Sequence, residues 1–295
     1  ASLLCRGLDD HEDALSITPG VPVAPAEGDQ PAALAGSLIA TPGMVSMSFG
    51  TSVCANSVGD RPFKGVARSI DHFCAPDGRP INMVWLRNGT TWRNRVVEMV
   101  GGTDRSGAFA SVMPQVLAAD DDCGGVASLP FLDDEPGLGV SRGGTGLLVG
   151  LDDRSATPGN VAKAALLATV FNLRLGGRPL EEQGFPRTEI VLSGGLVRTP
   201  SLGQVIADAF GTPVTILDAA SEGSAYGAIL LAKYRAESLG QRDRDWPTFL
   251  ASHATGNPRR FLPRTESTGA ITRAYERHCR LVALHAQLDA AIRGG

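Results

Sequence analysis

Three glycine-bearing segments follow apolar runs in this sequence, and each could lie against a phosphate or a ribose. They are Ser48-Phe49-Gly50-Thr51-Ser52, Ser193-Gly194-Gly195 and the helix-like stretch 222–228. A turn of this kind can aim consecutive backbone amides and a hydroxyl at a phosphate, and glycine lets a ligand approach where a side chain would clash. A tight turn or close helix packing accounts equally well for any one segment, so no single one decides the chemistry.

The common nucleotide and hydrolase motifs do not occur in the sequence. There is no G-x-x-x-x-G-K-[ST] loop, no G-x-G-x-x-G with an acidic residue about 20 positions later, and no G-x-S-x-G nucleophile elbow. The five histidines do not stand next to apparent strand ends. These observations disfavour Walker-type, Rossmann-type and triad-hydrolase functions, so a nucleotide would need another kind of cradle.

Composition indicates a globular chain with one large domain or two small ones. Of the 295 residues 43% are hydrophobic and 20% charged, and a net charge of −4 offers no basic face for nucleic acid. No apolar run approaches the ~18 residues of a membrane span, and the first residues lack a signal-peptide pattern. The five cysteines form no C-x-x-C pair, which disfavours structural zinc and disulfides. We therefore expect a cytoplasmic protein with no nucleic-acid or membrane partner.

Strand-like and helix-like runs alternate along the chain, which is typical of an α/β sheet. The predicted strands are 21–24, 44–49 with a hairpin continuing at Val53, 126–132, 147–151, 189–192 and 214–217. The predicted helices are 32–38, one or two within 83–100, 161–172, 202–210, 222–234 and a closing helix over 271–286. Thr199 before Pro200 predicts an N-cap for the helix at 202–210. The polar stretch 240–257 predicts a connector.

Taken in order, these segments resemble the C-terminal domain of the FGGY carbohydrate kinases, the group of xylulokinase, glycerol kinase and gluconokinase. The matching series is Val21-Pro22-Val23, Gly28-Asp29-Gln30-Pro31, Pro42-Gly43-Met44, Ser48 to Ser52, Leu129-Pro130-Phe131-Leu132, Gly146 to Leu151, Ser193-Gly194-Gly195 to Leu202, Ala207 to Val214, and Glu222 to Ala228. The series spans roughly residues 20–235, and its order is far more specific than any of its members.

The resemblance implies an actin/hexokinase-like (ribonuclease H-like) α/β domain, a mixed sheet flanked by helices with a C-terminal helical tail. It implies transfer of the γ-phosphoryl group of ATP, with Mg²⁺, to a sugar or polyol hydroxyl. Asp29 matches the catalytic base of the family, and a carboxylate within hydrogen-bond reach of the alcohol suits that role. The alternative is that Asp29 caps the following helix. Gln30 matches a substrate-contacting position of the family. The alternative is that Gln30 is an ordinary polar residue on the surface.

The nucleotide-binding residues that the resemblance implies come from four segments. Gly50, Thr51 and Ser52 match a phosphate loop that meets the γ-phosphate. Gly194 and Gly195 match the nucleotide turn, with Gly146 across the cleft. Thr199 stands where some relatives place an adenine-contacting Asn, although helix capping is the simpler role. The stretch 222–228 is expected near the adenine, unless its small residues only admit a neighbouring helix.

Two departures from the family pattern bear on function. The first phosphate loop of the family, D-x-G-[ST] on an N-terminal hairpin, does not occur in this sequence. In addition, the frequent Gly-Glu-Arg after Leu-Pro-x-Leu is Asp134-Glu135-Pro136 here. We therefore expect residues 1–235 to form the C-terminal kinase domain, residues 236–295 a connector and helix packed on it, and the N-terminal kinase domain to be absent from this chain.

Two hypotheses follow. In the first, the chain supplies the catalytic base and the nucleotide-binding half of a carbohydrate kinase, with the N-terminal domain provided in cis or in trans. In the second, it is a non-catalytic half-kinase that binds a nucleotide or a partner. Apolar surface is expected where the other domain would dock, and such a surface also makes a homo-oligomer a candidate. The identity of the sugar does not follow from the sequence.

Overall fold

A seven-stranded mixed sheet forms the centre of the computed structural model, which describes residues 24–102, 104–218, 223–240, 244–254 and 256–293. The strand order is β3-β4-β2-β1-β7-β8-β9, and β5 and β6 form a separate two-stranded sheet. The strands are β1 (Met44–Phe49), β2 (Val53–Val58), β3 (Ile70–Cys74), β4 (Pro80–Leu86), β5 (Ala127–Phe131), β6 (Thr145–Val149), β7 (Glu189–Gly194), β8 (Val214–Ile216) and β9 (Arg259–Phe261).

Ten helices lie in the described part of the chain. They are α1 (Asp29–Gly36), α2 (Thr91–Gly101), α3 (Arg105–Ala118), α4 (Pro158–Gly176), α5 (Arg178–Glu182), α6 (Leu202–Phe210), α7 (Gly223–Leu239), α8 (Trp246–Ala251), α9 (Thr268–Ala283) and α10 (His285–Arg293). None of the helices in the described ranges is both long and apolar enough to cross a membrane.

The direction of the strands changes at the middle of the sheet. Strand β1 runs antiparallel to β2, as the hairpin prediction requires, and parallel to β7. Strand β7 is also parallel to β8. The carboxyl ends of β1, β7 and β8 therefore meet at one edge of the sheet, where ligands bind in open α/β sheets.

Helices cover both faces of the sheet. On one face the largest apolar cluster joins β1 and β4 to the buried helix α4 through residues such as Met47, Leu86 and Leu167. On the other face Leu34 and Ile39, in and just after α1, pack against Val58, Ile81 and Val191. The alternation along β1 and β2 thus sends successive side chains to two different cores.

Helices α1 and α7 approach each other closely because glycines face each other across the contact. A Cβ added to Gly36 would overlap the carbonyl oxygen of Gly223, and one added to Gly227 would overlap that of Ala32. The small residues of 223–228 therefore do admit a neighbouring helix. Glu222 lies outside the described residues.

The C-terminal helices pack beside the two-stranded sheet. Val282 of α9 joins Leu129 and Phe131 of β5 in one apolar cluster. His278 of α9 is buried, and its Nε2 lies 2.7 Å from the Oδ1 of Asn172 on α4. The closing helix predicted over 271–286 is in fact two helices, because α9 ends at Ala283 and α10 starts at His285.

Three further predictions need correction. Residues 83–100 are not helical throughout: 83–86 belong to β4, and α2 begins only after Asn88-Gly89. The predicted connector 240–257 contains α8, whose Trp246 and Phe249 are fully buried. Helix α6 has Ser201 rather than Thr199 as its N-cap residue, because a 3₁₀ turn (Gly195–Arg198) follows β7. The strand predicted at 21–24 falls almost entirely outside the described residues.

Candidate active site

The two glycine turns lie side by side at the carboxyl ends of β1 and β7. Phe49 and Gly194 are register partners at the ends of these parallel strands. The chain therefore enters Gly50 and Gly195 from neighbouring positions. Two motifs that are 145 residues apart in the sequence therefore form one surface.

Gly194 needs to be glycine for two physical reasons. Its φ of 77° lies in the left-handed region, and an added Cβ would lie 2.8 Å from the Ser48 Oγ and 3.0 Å from the Phe49 amide nitrogen. An L side chain would be strained by the backbone and crowded by β1. The next residue, Gly195, also faces β1, since its Cβ would stand 3.2 Å from the Phe49 carbonyl oxygen.

The turn between β1 and β2 is closed by a backbone hydrogen bond, and its tip is exposed. The Gly50 amide donates to the Ser52 carbonyl at 2.9 Å, while Thr51 and Ser52 are exposed. An added Cβ on Gly50 would meet only the Ser52 carbonyl oxygen, at 3.4 Å. The outer side of this turn is thus open enough for an anion to approach the backbone.

A second loop, residues 87–90 between β4 and α2, holds this turn in place. The Gly89 amide donates to the Thr51 carbonyl at 2.9 Å, and the Thr90 amide and Oγ1 donate to the Gly50 carbonyl at 2.8 and 2.9 Å. A Cβ on Gly89 would overlap the carbonyl oxygens of Gly50 and Thr51. The two loops are therefore in direct backbone contact.

Asp29 stands at the start of α1 with an exposed side chain. The N-cap residue of α1 is Gly28, and no side chain caps this end. The capping role considered for Asp29 is therefore wrong, since its carboxylate is not used to cap α1. As an acidic residue in the first turn it also interacts favourably with the helix dipole.

Gln30 is anchored to β2, directly after the exposed turn. Its Oε1 accepts hydrogen bonds from the Cys54 Sγ at 2.9 Å and the Asn56 Nδ2 at 3.2 Å. With the oxygen held by β2, the amide nitrogen turns towards Asp29 and lies 3.5 Å from its Oδ2. The hydrogen bonds of Gln30 to β2 bring Asp29 and Gln30 to the same end of the sheet as Gly50.

Cys54 is a neutral donor in this arrangement. Burial and, to a smaller extent, the nearby negative charge of Asp29 raise the pKa of its thiol to about 11. A thiol that stays protonated can donate to Gln30 at neutral pH. The side chain is 5% exposed.

Helix α7 approaches the same corner from outside the sheet. The Ser224 Oγ lies 3.5 Å from the backbone oxygen of Asp29, at the limit of a hydrogen bond. The close α1–α7 contact thus fixes the end of α1 that carries Asp29.

Of the other predicted site residues, Thr199 lies farther along the chain from Gly195, and Gly146 lies in the two-stranded sheet. Thr199 follows the 3₁₀ turn after Gly195, and its carbonyl accepts from the Leu202 amide at 3.0 Å. Gly146 lies in β6 opposite Pro130, and an added Cβ would stand 2.7 Å from the indole of Trp92. Gly146 therefore makes room for Trp92 of α2. Its connection to the two glycine turns is indirect, through this helix.

Sequence reasoning missed loop 87–90 and its neighbour Trp85. Trp85 pairs with Cys54 across β4 and β2, on the face where Gln30 lies, and it is 39% exposed. The Arg87 guanidinium stands 5.9 Å from the centre of its ring. The sequence signal for this loop was Asn88-Gly89 after an apolar run. It indicated an interruption of the helix but did not indicate that the loop contacts the turn at Gly50 and Thr51.

No metal site is preformed among the residues that the structure describes. These residues contain no group of three or more His, Cys, Asp or Glu side chains placed to hold a metal ion. Mg²⁺ in phosphoryl-transfer sites is commonly bound through one or two carboxylates and the phosphates of the substrate. The donor set here, with Asp29 as the carboxylate near the turns, fits that mode rather than an all-protein cage.

Comparison with known proteins assigns the family. The model of the FGGY family of carbohydrate kinases, C-terminal domain, matches residues 45–236. The chain belongs to this family, as the order of its motifs predicted. The fold is the actin/hexokinase-like fold of these kinases.

Individual relatives agree with the family assignment. A glycerol kinase from Gloeobacter violaceus is 31% identical over 221 residues, which are 70% of this chain and 42% of the relative. The crystal structure of xylulose kinase from Rhodospirillum rubrum superposes with a TM-score of 0.77 at 20% identity, covering 92% of this chain and 53% of that one. A structure of Plasmodium falciparum glycerol kinase with ADP has a TM-score of 0.67 at 15% identity, covering 87% and 51%. The chain spans about half the length of these relatives.

Proposed function

We propose that the chain forms the catalytic-base and nucleotide-binding half of an ATP-dependent carbohydrate kinase that phosphorylates a sugar or polyol hydroxyl. The observation that carries this proposal is the meeting of three segments at one edge of the sheet. The Gln30–Cys54 hydrogen bond ties the Asp29 segment to β2, and the Phe49–Gly194 register sets the two glycine turns beside each other. Family membership supports the same chemistry.

Asp29 is proposed as the general base. Its exposed carboxylate accepts the proton of the substrate hydroxyl as the hydroxyl oxygen forms a bond to the γ-phosphorus and the bond from that phosphorus to the bridging oxygen of ADP breaks. Gln30, with its oxygen engaged by Cys54 and Asn56 and its amide nitrogen 3.5 Å from the Asp29 Oδ2, is placed to orient the substrate beside Asp29. Phosphoryl transfer depends mostly on such positioning and on charge stabilisation.

The two turns are proposed to bind the phosphates of the nucleotide. ATP supplies the phosphoryl group. The backbone amides and hydroxyls of Thr51 and Ser52 stabilise the charge on the group transferred, and Gly50 leaves the approach to the turn open. Gly194 and Gly195 allow the nucleotide to lie against the end of β7. Mg²⁺ held mainly by the phosphates completes the charge balance. Roles for Thr199 near the adenine and for Gly146 across the cleft rest on the family resemblance alone.

We further propose that an N-terminal kinase domain completes the site, in cis or in trans. The chain spans about half the length of its curated relatives, and D-x-G-[ST] does not occur in it. In this proposal residues 1–235 form one kinase domain and residues 236–295 pack on it as connector and tail. Substrate selection would then depend largely on the other domain.

One observation favours a second function, a half-kinase that binds nucleotide or a partner without turnover. Pro136 stands where the family frequently has an arginine, so a cation near the cleft is replaced by an uncharged residue. A non-catalytic half predicts nucleotide binding without phosphate transfer to any hydroxyl compound.

A substrate panel separates the two functions. The natural polypeptide that contains these 295 residues is incubated with ATP, Mg²⁺ and individual sugars and polyols, and ADP release and sugar phosphate are measured together. The kinase proposal predicts stoichiometric ADP and phosphorylated product with at least one compound. ATP binding by calorimetry with no product across the panel would contradict the kinase proposal and support the binding half.

A further inference from the structure

The buried carboxylate of Glu135 is aimed at the loop that holds the exposed turn. Glu135 is 1% exposed and lies in the segment between β5 and β6. Its backbone is fixed by a bridge to Val140, with the Glu135 amide donating to the Val140 carbonyl at 2.8 Å and the Val140 amide donating back at 3.1 Å. The side chain therefore extends from a rigid base.

Three donors from loop 87–90 converge on this carboxylate. The Arg87 amide donates to Oε1 at 3.2 Å, and the Asn88 amide and Nδ2 donate to Oε2 at 2.9 and 3.0 Å. Burying a carboxylate is costly unless it is hydrogen-bonded, and bonds to a charged acceptor are about twice as strong as neutral ones. A buried acidic side chain with this donor set acts as a clamp on the loop.

Asn88 reinforces the same junction from the other direction. It is 6% exposed, and its Oδ1 accepts from the Asp133 amide at 2.9 Å while its Nδ2 donates to the Asp133 carbonyl at 3.1 Å. Loop 87–90 and the segment 133–135 are therefore connected by side chains from both partners.

The clamp continues directly to the exposed turn. The next two residues of the loop, Gly89 and Thr90, make the hydrogen bonds to the carbonyls of Thr51 and Gly50 described above. Only two steps of hydrogen bonding separate the Glu135 carboxylate from the turn. The Oγ1 of Thr169 on the buried helix α4 donates to the Gly89 carbonyl at 3.0 Å, which holds the intervening peptide from the core side.

We propose that Glu135 is a positioning residue for phosphoryl transfer: through Asn88, Gly89 and Thr90 it holds Gly50 and Thr51 where they meet the transferred phosphate. The catalytic part of this inference rests on the proposed kinase function. Its structural part, that Glu135 fixes the turn, is independent of that function.

The test compares Glu135→Gln with Glu189→Gln in the natural polypeptide. The first change keeps the shape of the side chain and removes the charge that three donors share. The control makes the same change at the start of β7, where the Glu189 Oε1 accepts from the Thr215 Oγ1 at 2.6 Å, at the far end of that strand from Gly194. Hydrogen exchange of peptides covering 48–53 and 87–92 is measured with kcat and with KM for ATP and for the hydroxyl substrate.

Glu135→Gln is expected to speed exchange of the Arg87 and Asn88 amides, which donate to the carboxylate, by about tenfold, the loss expected for a bond to a charged acceptor. Exchange of the Gly89 and Thr90 amides should also speed up, because the loop that carries them is less firmly held. It should lower kcat by about 10–100-fold, as expected for a misplaced positioning group, while KM for the hydroxyl substrate stays within twofold, roughly the precision of such a comparison. Glu189→Gln should change neither the exchange rates nor kcat. Wild-type exchange and kcat in Glu135→Gln would overturn the inference.

Two outcomes keep this test separate from that of the proposed function. If the wild-type polypeptide phosphorylates nothing, the kinase proposal fails while the exchange data still decide whether Glu135 holds the turn. If Glu135→Gln does not fold, Asn88→Ala removes the Nδ2 donor to the Glu135 Oε2 and so loosens the same link from the loop side. Faster exchange in 48–53 together with lower kcat in that variant would support the inference, and wild-type values for both would overturn it.

Discussion

Phe49 and Gly194 are register partners at the ends of two parallel strands, and a Cβ on Gly194 would lie 3.0 Å from the Phe49 amide nitrogen. This contact is what sets the two glycine turns side by side. It explains in physical terms why Gly194 cannot be exchanged for an alanine without moving either β1 or the turn after β7.

Gly194→Ala is expected to lower both stability and nucleotide affinity. The combination of φ 77° and ψ −159° is essentially confined to glycine and costs an L residue about 1–3 kcal/mol, and the crowding at Ser48 and Phe49 displaces the turn. We expect the affinity for an ATP analogue to fall by about tenfold, which corresponds to about 1.4 kcal/mol. Calorimetric titration measures the affinity.

Gly211→Ala is the matched control for backbone strain. Gly211 also has a left-handed φ, 59°, but an added Cβ would meet nothing within 4 Å. This variant should lose stability through backbone strain alone, and therefore less than Gly194→Ala, and it should keep its nucleotide affinity. Equal affinities for Gly194→Ala and Gly211→Ala would contradict the assignment of Gly194 to the nucleotide turn.

Gly227→Ala is expected to weaken the packing of α7 on α1. The added Cβ would overlap the Ala32 carbonyl, and overpacking of this kind costs about 1–3 kcal/mol. Gly223→Ala, where an added Cβ meets nothing within 4 Å, should leave the free energy of unfolding unchanged or raise it by up to about 1 kcal/mol. Urea denaturation compares the two, and equal stabilities would show that the close contact is not maintained in solution.

His278 is expected to make the protein sensitive to mild acid. Burial lowers the pKa of its imidazole to about 4 in the folded chain, from 6.5. The unfolded chain therefore binds more protons between pH 6.5 and 4, so the free energy of unfolding falls as pH falls through this window, by up to about 1.4 kcal/mol per pH unit. His278→Gln, which keeps a donor for Asn172, should show a shallower fall. Urea denaturation at pH 7.5, 6 and 5 tests this, and parallel pH profiles would contradict it.

Cysteine alkylation is expected to discriminate between Cys74 and Cys54. Cys74 is exposed. Cys54 is buried, its thiol pKa is raised to about 11, and its thiol donates a hydrogen bond to Gln30. Because the thiolate is the nucleophile, iodoacetamide at pH 7 should modify Cys74 long before Cys54. Peptide mass spectrometry over a time course gives both rates. Comparable rates would mean that Cys54 does not hold Gln30 as the structure describes.

Much of the fold could be predicted where apolar runs are long and bounded by glycine. Strand β1 was predicted at its observed bounds, and so was helix α6 at 202–210, because each is a continuous buried segment followed by a turn residue. Region 83–100 was harder, since Met83 and Leu86 fit a helical spacing as well as the strand they occupy. Helix α8 was missed because its six residues lie in a polar stretch, and its Trp246 and Phe249 are buried by residues distant in the sequence, among them Ala35 of α1 and Leu230 of α7.

The candidate site was predictable to the extent that its residues carry family motifs. Asp29, Gln30 and the two glycine turns were identified in this way, and the structure brings them to one edge of the sheet. Loop 87–90 was not identified because it acts largely through backbone amides, which any residue possesses. The role of Glu135 was equally hidden, since a buried acidic side chain cannot be recognised before its donors are known.

The proposed role of Asp29 is tested most directly by phosphoryl transfer in Asp29→Asn, with Asp60→Asn as the control. Both side chains are exposed carboxylates, and Asp60 pairs only with its neighbour Arg61 among the described ion pairs. With the substrate found in the panel, Asp29→Asn should lower kcat by about 10²–10⁴-fold at unchanged thermal stability, while Asp60→Asn keeps the wild-type rate. A wild-type kcat in Asp29→Asn would contradict the assignment of Asp29 as the base and, with it, the central claim about this site.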